Sequence, residues 1–182
     1  MTSQDSLRRL ADAFDFAAQA HTRQTRKGAR AEPYVNHVAD VASRVARSPR
    51  ADVETVLAAL LHDTVEDTDT TLDDITARFG PEVAGYVAEV SDDKSLPKEQ
   101  RKRLQVQHAP GTSDAAKRIK LADKASNLAA LAESPPHGWN AARKRAYLDW
   151  AREVVAGLRG VDPVLELAFD EAAQRAERAI GA

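Results

Sequence analysis

Val53-Glu54-Thr55-Val56-Leu57-Ala58-Ala59-Leu60-Leu61-His62-Asp63-Thr64-Val65-Glu66-Asp67 changes character partway along. Its first part carries Val53, Val56, Leu57, Leu60 and Leu61 at spacings of three and four, which predicts a buried helix from about Asp52 to Asp63. Attached to the end of that helix is His62-Asp63-Thr64-Val65-Glu66-Asp67, an imidazole and three carboxylates. Burying such groups without partners is costly, and one divalent cation would compensate them together. If the helix persists for a further turn, Asp63, Glu66 and Asp67 share a face. The plainer reading is a solvated acidic helix end, because Asp67-Thr68-Asp69-Thr70 has the composition of a loop.

Two more apolar helices carry polar residues of matching kind. A helix from roughly Val35 to Ala46 turns Val38, Val41, Ala42 and Val45 inward and holds His37 beside them. In Ile119-Lys120-Leu121-Ala122-Asp123-Lys124-Ala125-Ser126-Asn127-Leu128, Asp123 and Asn127 stand one turn apart on one face. Singly, His37 reads as an ordinary core histidine and Asp123 as the partner of a neighbouring Lys or Arg. Taken together, His37, His62, Asp63 and Asp123 supply two imidazoles and two carboxylates, a borderline donor set suited to Mn, Fe, Co or Zn. Four protein ligands leave positions open for water and substrate, and a bound metal lowers the pKa of its water toward neutrality. His21, near the end of the first helix, and His108 and His137, near Pro and Gly, read as structural or surface residues.

The rest of the chain is helical by the same criterion. Leu7, Leu10, Ala11, Phe14, Ala17 and Ala18 form one stripe, and Arg26 to Pro33 breaks it with charge, Gly and Pro as an exposed loop. Thr71 and Asp74 form a capping box ahead of Ile75 and Phe79. Gly80-Pro81 ends that helix and opens the next. Ser91 to Pro97 and Ala109 to Thr112 read as loops; Ser113 or Asp114 caps a helix running to about Ala132, and Pro135-Pro136 closes it. Asp162-Pro163 opens a final helix with Leu165, Ala168, Phe169 and Ala172 as its stripe. The expectation is all-α: one helical-bundle domain over residues 1–182, with a core of about 5–160 and a C-terminal helix of about 162–180.

Composition narrows the function classes. The 182 residues contain no cysteine, which excludes a disulfide scaffold, a thiol nucleophile and a thiolate metal site. A net charge of −2 speaks against binding a nucleic acid polymer, although basic residues bunch at Arg23–Arg30, Lys98–Arg103 and Arg143–Arg145. No apolar run approaches membrane-spanning length and Met1 to Asp5 lacks a secretory pattern, so a cytoplasmic protein without membrane contact is expected.

The spaced set His37, His62-Asp63 and Asp123 resembles the metal-binding pattern of the HD-domain phosphohydrolases. A more specific resemblance is to the alarmone hydrolases, namely the hydrolase half of RelA/SpoT enzymes and the small stand-alone hydrolases of the metazoan SpoT homologue (Mesh-one) type. It is carried by Gln24-Thr25-Arg26-Lys27, Pro33-Tyr34-Val35-Asn36-His37, Ala58 to Thr71, Ser91 to Val106, Lys120 to Asn127 and Gly138-Trp139. The resemblance implies hydrolysis of guanosine tetra- or pentaphosphate to GDP or GTP and pyrophosphate, with Mn²⁺ as the usual metal. It also implies that His37, His62, Asp63 and Asp123 hold the metal, and that Glu66 and Asp67 orient and deprotonate the attacking water. Arg26 and Lys27 would contact the nucleotide; Lys98, Arg143 and Tyr147 would line the phosphate and ribose side; Asn127 would reach the sugar–phosphate region.

The chain departs from relatives at Arg30-Ala31-Glu32, at Val38, at Lys124-Ala125-Ser126 and after Asn127, where Leu128-Ala129 replaces a common Arg-Asp. These departures spare the metal ligands and bear on guanine preference. With no synthetase-like segment after the last helix, degradation of the alarmone without synthesis is expected. The alternatives are removal of the 2′-phosphate of NADPH, a broader nucleotidase, or a silent nucleotide-binding module, whose signature would be loss of Glu66, Asp67 or a ligand.

Overall fold

The opening apolar run forms the centre of the molecule in the computed structural model, which describes residues 2–181. Helix α3 (Val53–Leu61) has Leu57, Ala58, Ala59 and Leu61 fully buried, and Asp52 caps its start by accepting from the Thr55 N–H at 2.8 Å. Packed around it are α1 (Ser3–Ala20), α2 (Val35–Ala46), α6 (Pro81–Val90) and α8 (Asp114–Glu133). The long helix α8 is the second axis, lying against α2, α6, α9 (Ala141–Ala156) and most extensively α10 (Pro163–Gly181). Among the described residues there is no strand, only isolated bridges between Thr25 and Pro33 and between Gly28 and Pro136. The all-α expectation holds.

Local signals placed most boundaries. Helix α5 (Leu72–Phe79) opens with the Thr71/Asp74 capping box; Gly80, at φ 97°, ends it, and Pro81 starts α6. Ser113 caps α8, and α10 begins at Pro163 as Asp162-Pro163 predicts.

Three expectations need correction. Helix α3 does not run to Asp63: it stops at Leu61, and the chain restarts as the single turn α4 (Thr64–Asp67). The physical reason is that side chains take the terminal carbonyls, His62 Nδ1–H donating to Ala59 O at 2.9 Å and the Thr64 hydroxyl to Leu61 O at 2.7 Å. On α1 the stripe is rotated: Leu7 and Phe14 are 61% and 44% exposed, while Ala13 and Ala17 are buried and Leu10 and Phe16 pack on the core. Small residues facing inward let α1 approach α3 closely, and the Phe16 ring meets the edge of Phe79 at 5.6 Å. Third, the loop expected at Ala109 to Thr112 opens with a turn of 3-10 helix, Ala109–Gly111, that continues directly from α7 (Lys98–His108).

Away from the site, the buried Asp162 ties three elements together. Its Oδ1 accepts from the N–H groups of Val164 and Leu165 at the start of α10; the Ser48 hydroxyl donates to Oδ2, which also lies 3.5 Å from Arg118 Nε on α8. No helix among the described residues is long and apolar enough to cross a membrane.

Candidate active site

Helix α2 presents His37, the end of α3 presents His62, the junction to α4 presents Asp63, and α8 presents Asp123. His37, His62 and Asp123 offer donor atoms all within 4.8 Å of one another. Asp63 flanks the group, its Oδ2 lying 2.9 Å from His62 Nε2 and 3.5 Å from His37 Nε2. Asp123 Oδ1 is 3.3 Å from His37 Nε2. The structure thus brings together all four residues that the sequence singled out.

The hydrogen bonds settle which ring nitrogens face inward. Ala59 O can only accept, so His62 carries a proton on Nδ1 and turns Nε2 toward the carboxylates. That Nε2 is buried without a hydrogen-bond partner; Asp63 comes near but out of line. His37 likewise engages Ser126 Oγ through Nδ1 at 3.0 Å and points Nε2 at Asp63 and Asp123. Without a cation the cluster must recruit protons. Burial pulls the His62 imidazole down, yet the Asp63 and Asp123 charges outweigh it and push it up to about 9. Burial raises the Asp63 and Asp123 carboxyls, but their charged neighbours carry both well below the carboxylate range, His62 acting on Asp63 and Lys124 on Asp123. Two inward imidazole nitrogens between two ionised carboxylates fit a divalent cation.

Glu66 and Asp67 lie beside this cluster on α4. Glu66 accepts from the Asp92 N–H at 3.0 Å and from Arg101 at 3.4 Å. Burial, reinforced by the charges of Asp92, Asp63 and Asp67, raises its carboxyl above the usual range. Asp67 meets Lys94, and Tyr34 reaches both acids, its hydroxyl 2.6 Å from Asp63 Oδ2 and 3.5 Å from Asp67 Oδ2.

A cleft of about 440 Å³ opens beside these acids, and Arg26, Lys27, Lys98, Asn127, Arg143 and Tyr147 all line it. Asn127 does not stand free: its amide donates to Asp123 Oδ1 at 2.5 Å and its oxygen accepts from Arg26 at 2.9 Å. Trp139, Tyr147 and Trp150 form an aromatic row with ring centroids 5.5 and 5.4 Å apart. Arg143 stacks over Trp139, and Lys102 and Lys124 over Trp150.

Sequence reasoning missed several of these residues. Tyr34, Asp92, Lys94 and Arg101 lie in stretches that carry the family resemblance, yet nothing local gave them a role; Trp150 showed only apolarity. Of the two readings given for His21, structural or surface, the structural one holds. His21 is buried, stacks on Tyr34 at 4.9 Å, and its Nδ1–H donates to Gln24, which in turn donates to Asp67 O.

A family model described as HD domain matches residues 13–152. The guanosine-3′,5′-bis(diphosphate) 3′-pyrophosphohydrolase MESH1 of Homo sapiens is 49% identical over 161 residues, 88% of this chain and 90% of that protein. Its namesake from Drosophila melanogaster is 47% identical over the same shares. A solved structure of a metazoan ortholog of SpoT, one that hydrolyses ppGpp, superposes with a TM-score of 0.88 at 45% identity, covering 91% of this chain and 94% of that one.

Proposed function

The chain belongs to the HD domain family, and from that premise we propose that it hydrolyses (p)ppGpp to GDP or GTP and pyrophosphate as a metal-dependent 3′-pyrophosphohydrolase. The observation that carries this reading is the pair of inward Nε2 atoms of His37 and His62 set between the Asp63 and Asp123 carboxylates. These four residues would hold the ion, and their mixed nitrogen and oxygen donors accommodate Mn²⁺, the metal that the family resemblance implies. When bound, such an ion polarises a phosphoryl oxygen and makes a water molecule acidic. Residues 1–182 would make up one hydrolase domain.

The protein's own groups account for the remaining work. Glu66 or Asp67 takes up the proton of the water that attacks the phosphorus on the ribose 3′ oxygen and returns it to that oxygen as its bond to phosphorus breaks; the Asp92 N–H holds Glu66, and Lys94 holds Asp67. Arg26, Lys27, Lys98 and Arg143 face the phosphates across the cleft and offset charge that develops as the bond breaks. Tyr147, its ring inclined at 60° to that of Trp139, lines the ribose side of the cleft.

The decisive assay supplies metal-depleted protein with Mn²⁺ and ppGpp and separates products by chromatography. GDP and pyrophosphate in equal amounts are expected. Absence of pyrophosphate, or phosphate release from NADPH at a higher kcat/KM in a parallel reaction, would replace this reading with the 2′-phosphatase alternative or remove it.

A further inference from the structure

We infer that Arg101 and Gln105 of α7 form a clasp on Asp92 and Glu66 that fixes the Glu66 carboxylate beside the metal cluster, making both of them positioning residues for the base. The inference deepens the hydrolase reading above and rests on it for the role of Glu66.

Three separate elements meet at the clasp. Glu66 stands on α4, Asp92 lies just beyond the end of α6, and Arg101 and Gln105 lie one turn apart on one face of α7. Each Glu66 oxygen has its own donor: the Asp92 N–H reaches Oε2 at 3.0 Å, and Arg101 Nη1 reaches Oε1 at 3.4 Å. The Asp92 carboxylate in turn accepts from Gln105 Nε2 at 2.7 Å and lies 3.7 Å from the same Arg101 Nη1. One guanidinium therefore stands between two acids that would otherwise repel, and the Gln105 amide pins the residue whose N–H orients the base. Arg101 Nε and Gln105 Oε1 are buried without a hydrogen-bond partner, so the donors of these two side chains are directed at Glu66 and Asp92. A contact serving stability alone would pair those atoms as well. Nor does the apolar core hold α7: none of its residues is buried, and its main packing is against α9. The seat of α7 and the position of the base are thus set by the same few polar contacts.

Arg101 also lines the cleft, so a direct phosphate contact is the competing role, and a double-mutant cycle separates the two. With Mn²⁺ and ppGpp, Arg101→Met and Gln105→Met should each lower kcat about 10- to 100-fold and change KM less than about 2-fold, the mark of a displaced base rather than of lost substrate binding. In the Glu66→Gln background, Arg101→Met should cost less than about 2-fold more, because the group it positions is already gone. The second measurement needs neither metal nor nucleotide. Exchange of the Asp92 amide hydrogen, followed in ¹H–¹⁵N spectra, should be about 10-fold faster in Arg101→Met and in Gln105→Met, with unfolding midpoints unchanged. An unchanged kcat, a raised KM, losses that multiply in the double variant, or Asp92 exchange equal to wild type would overturn the clasp. Wild-type protein that releases no pyrophosphate from ppGpp would instead remove the hydrolase reading, and the Asp92 exchange rate would then decide the clasp by itself.

Discussion

Glu66 and Asp67 are adjacent in the chain but meet different surroundings: Glu66 is held by the Asp92 N–H and faces Arg101, while Asp67 faces Lys94 and Tyr34. Replacing Glu66 by Gln keeps shape and removes the proton acceptor. Pyrophosphate release should fall about 10²- to 10⁴-fold, with ppGpp affinity measured by calorimetry nearly unchanged. Turnover close to wild type would remove Glu66 from the mechanism. His62 makes a second prediction, for metal-free protein. Its folded value of about 9 lies above the 6.5 of a free imidazole, so the stability it contributes is complete below pH 6.5 and disappears as pH rises through 9. Urea unfolding across that window should show a loss of up to about 3 kcal/mol, smaller to the extent that Asp63 and Asp123 share the same interaction. A flat profile would mean that the carboxylates do not face the ring as the structure has them. Both roles rested on residue types that the sequence displayed; their partners Arg101, Asp92 and Lys94 lay too far along the chain to be paired by inspection.

The elements that shape the cleft are held by close backbone approach. Between α1 and α2, residues 25–33 turn back on themselves through the Thr25–Pro33 bridge and are pinned to the end of α8, where Arg30 N–H donates to Ser134 Oγ and His137 N–H to Lys27 O. Gly28 sits at the tightest point: a Cβ there would lie 2.3 Å from the Ser134 carbonyl oxygen. Gly28→Ala should displace Arg26 and Lys27 and lower kcat/KM about 10- to 100-fold, with an unfolding midpoint near wild type. Unaltered kinetics would show that this loop does not place substrate contacts. The sequence marked the segment as a loop from its charge, Gly and Pro, and that much was local. Its attachment to Ser134 and Pro136 was not, because nothing in either stretch names the other. The end of α3 teaches the same lesson in reverse: apolar periodicity ran on to Asp63, but hydrogen bonds from His62 and Thr64 to the preceding carbonyls ended the helix at Leu61.

At the scale of the whole molecule, Asp162 joins the loop after α2, α8 and the start of α10 in one buried cluster. Asp162→Ala would remove the buried carboxylate paired with Arg118 and leave two backbone donors without their acceptor, and should destabilise the fold by about 3–5 kcal/mol in urea unfolding. A change below about 1 kcal/mol, the scale of a helix cap alone, would reduce the cluster to capping. A metal ion held at the His/Asp cluster would also stabilise the whole fold: Mn²⁺ at about 100 times its dissociation constant should add about 2.7 kcal/mol to the metal-free protein and nothing to Asp123→Asn. The sequence by itself determined the helical class, the bounds of α2, the starts of α3, α5, α6, α8 and α10, and the identity of the four side chains His37, His62, Asp63 and Asp123 that cluster, because periodicity, capping and residue chemistry are properties of neighbours within a turn or two. Only the tertiary structure decided which face of α1 turns inward, since its apolar residues satisfy two overlapping stripes and α3 accepts the smaller one. It alone decided, too, that both histidines turn Nε2 to Asp63 and Asp123 and that Ser126 stands behind His37, for these follow from how α2, α3 and α8 pack, and those helices are remote from one another along the chain.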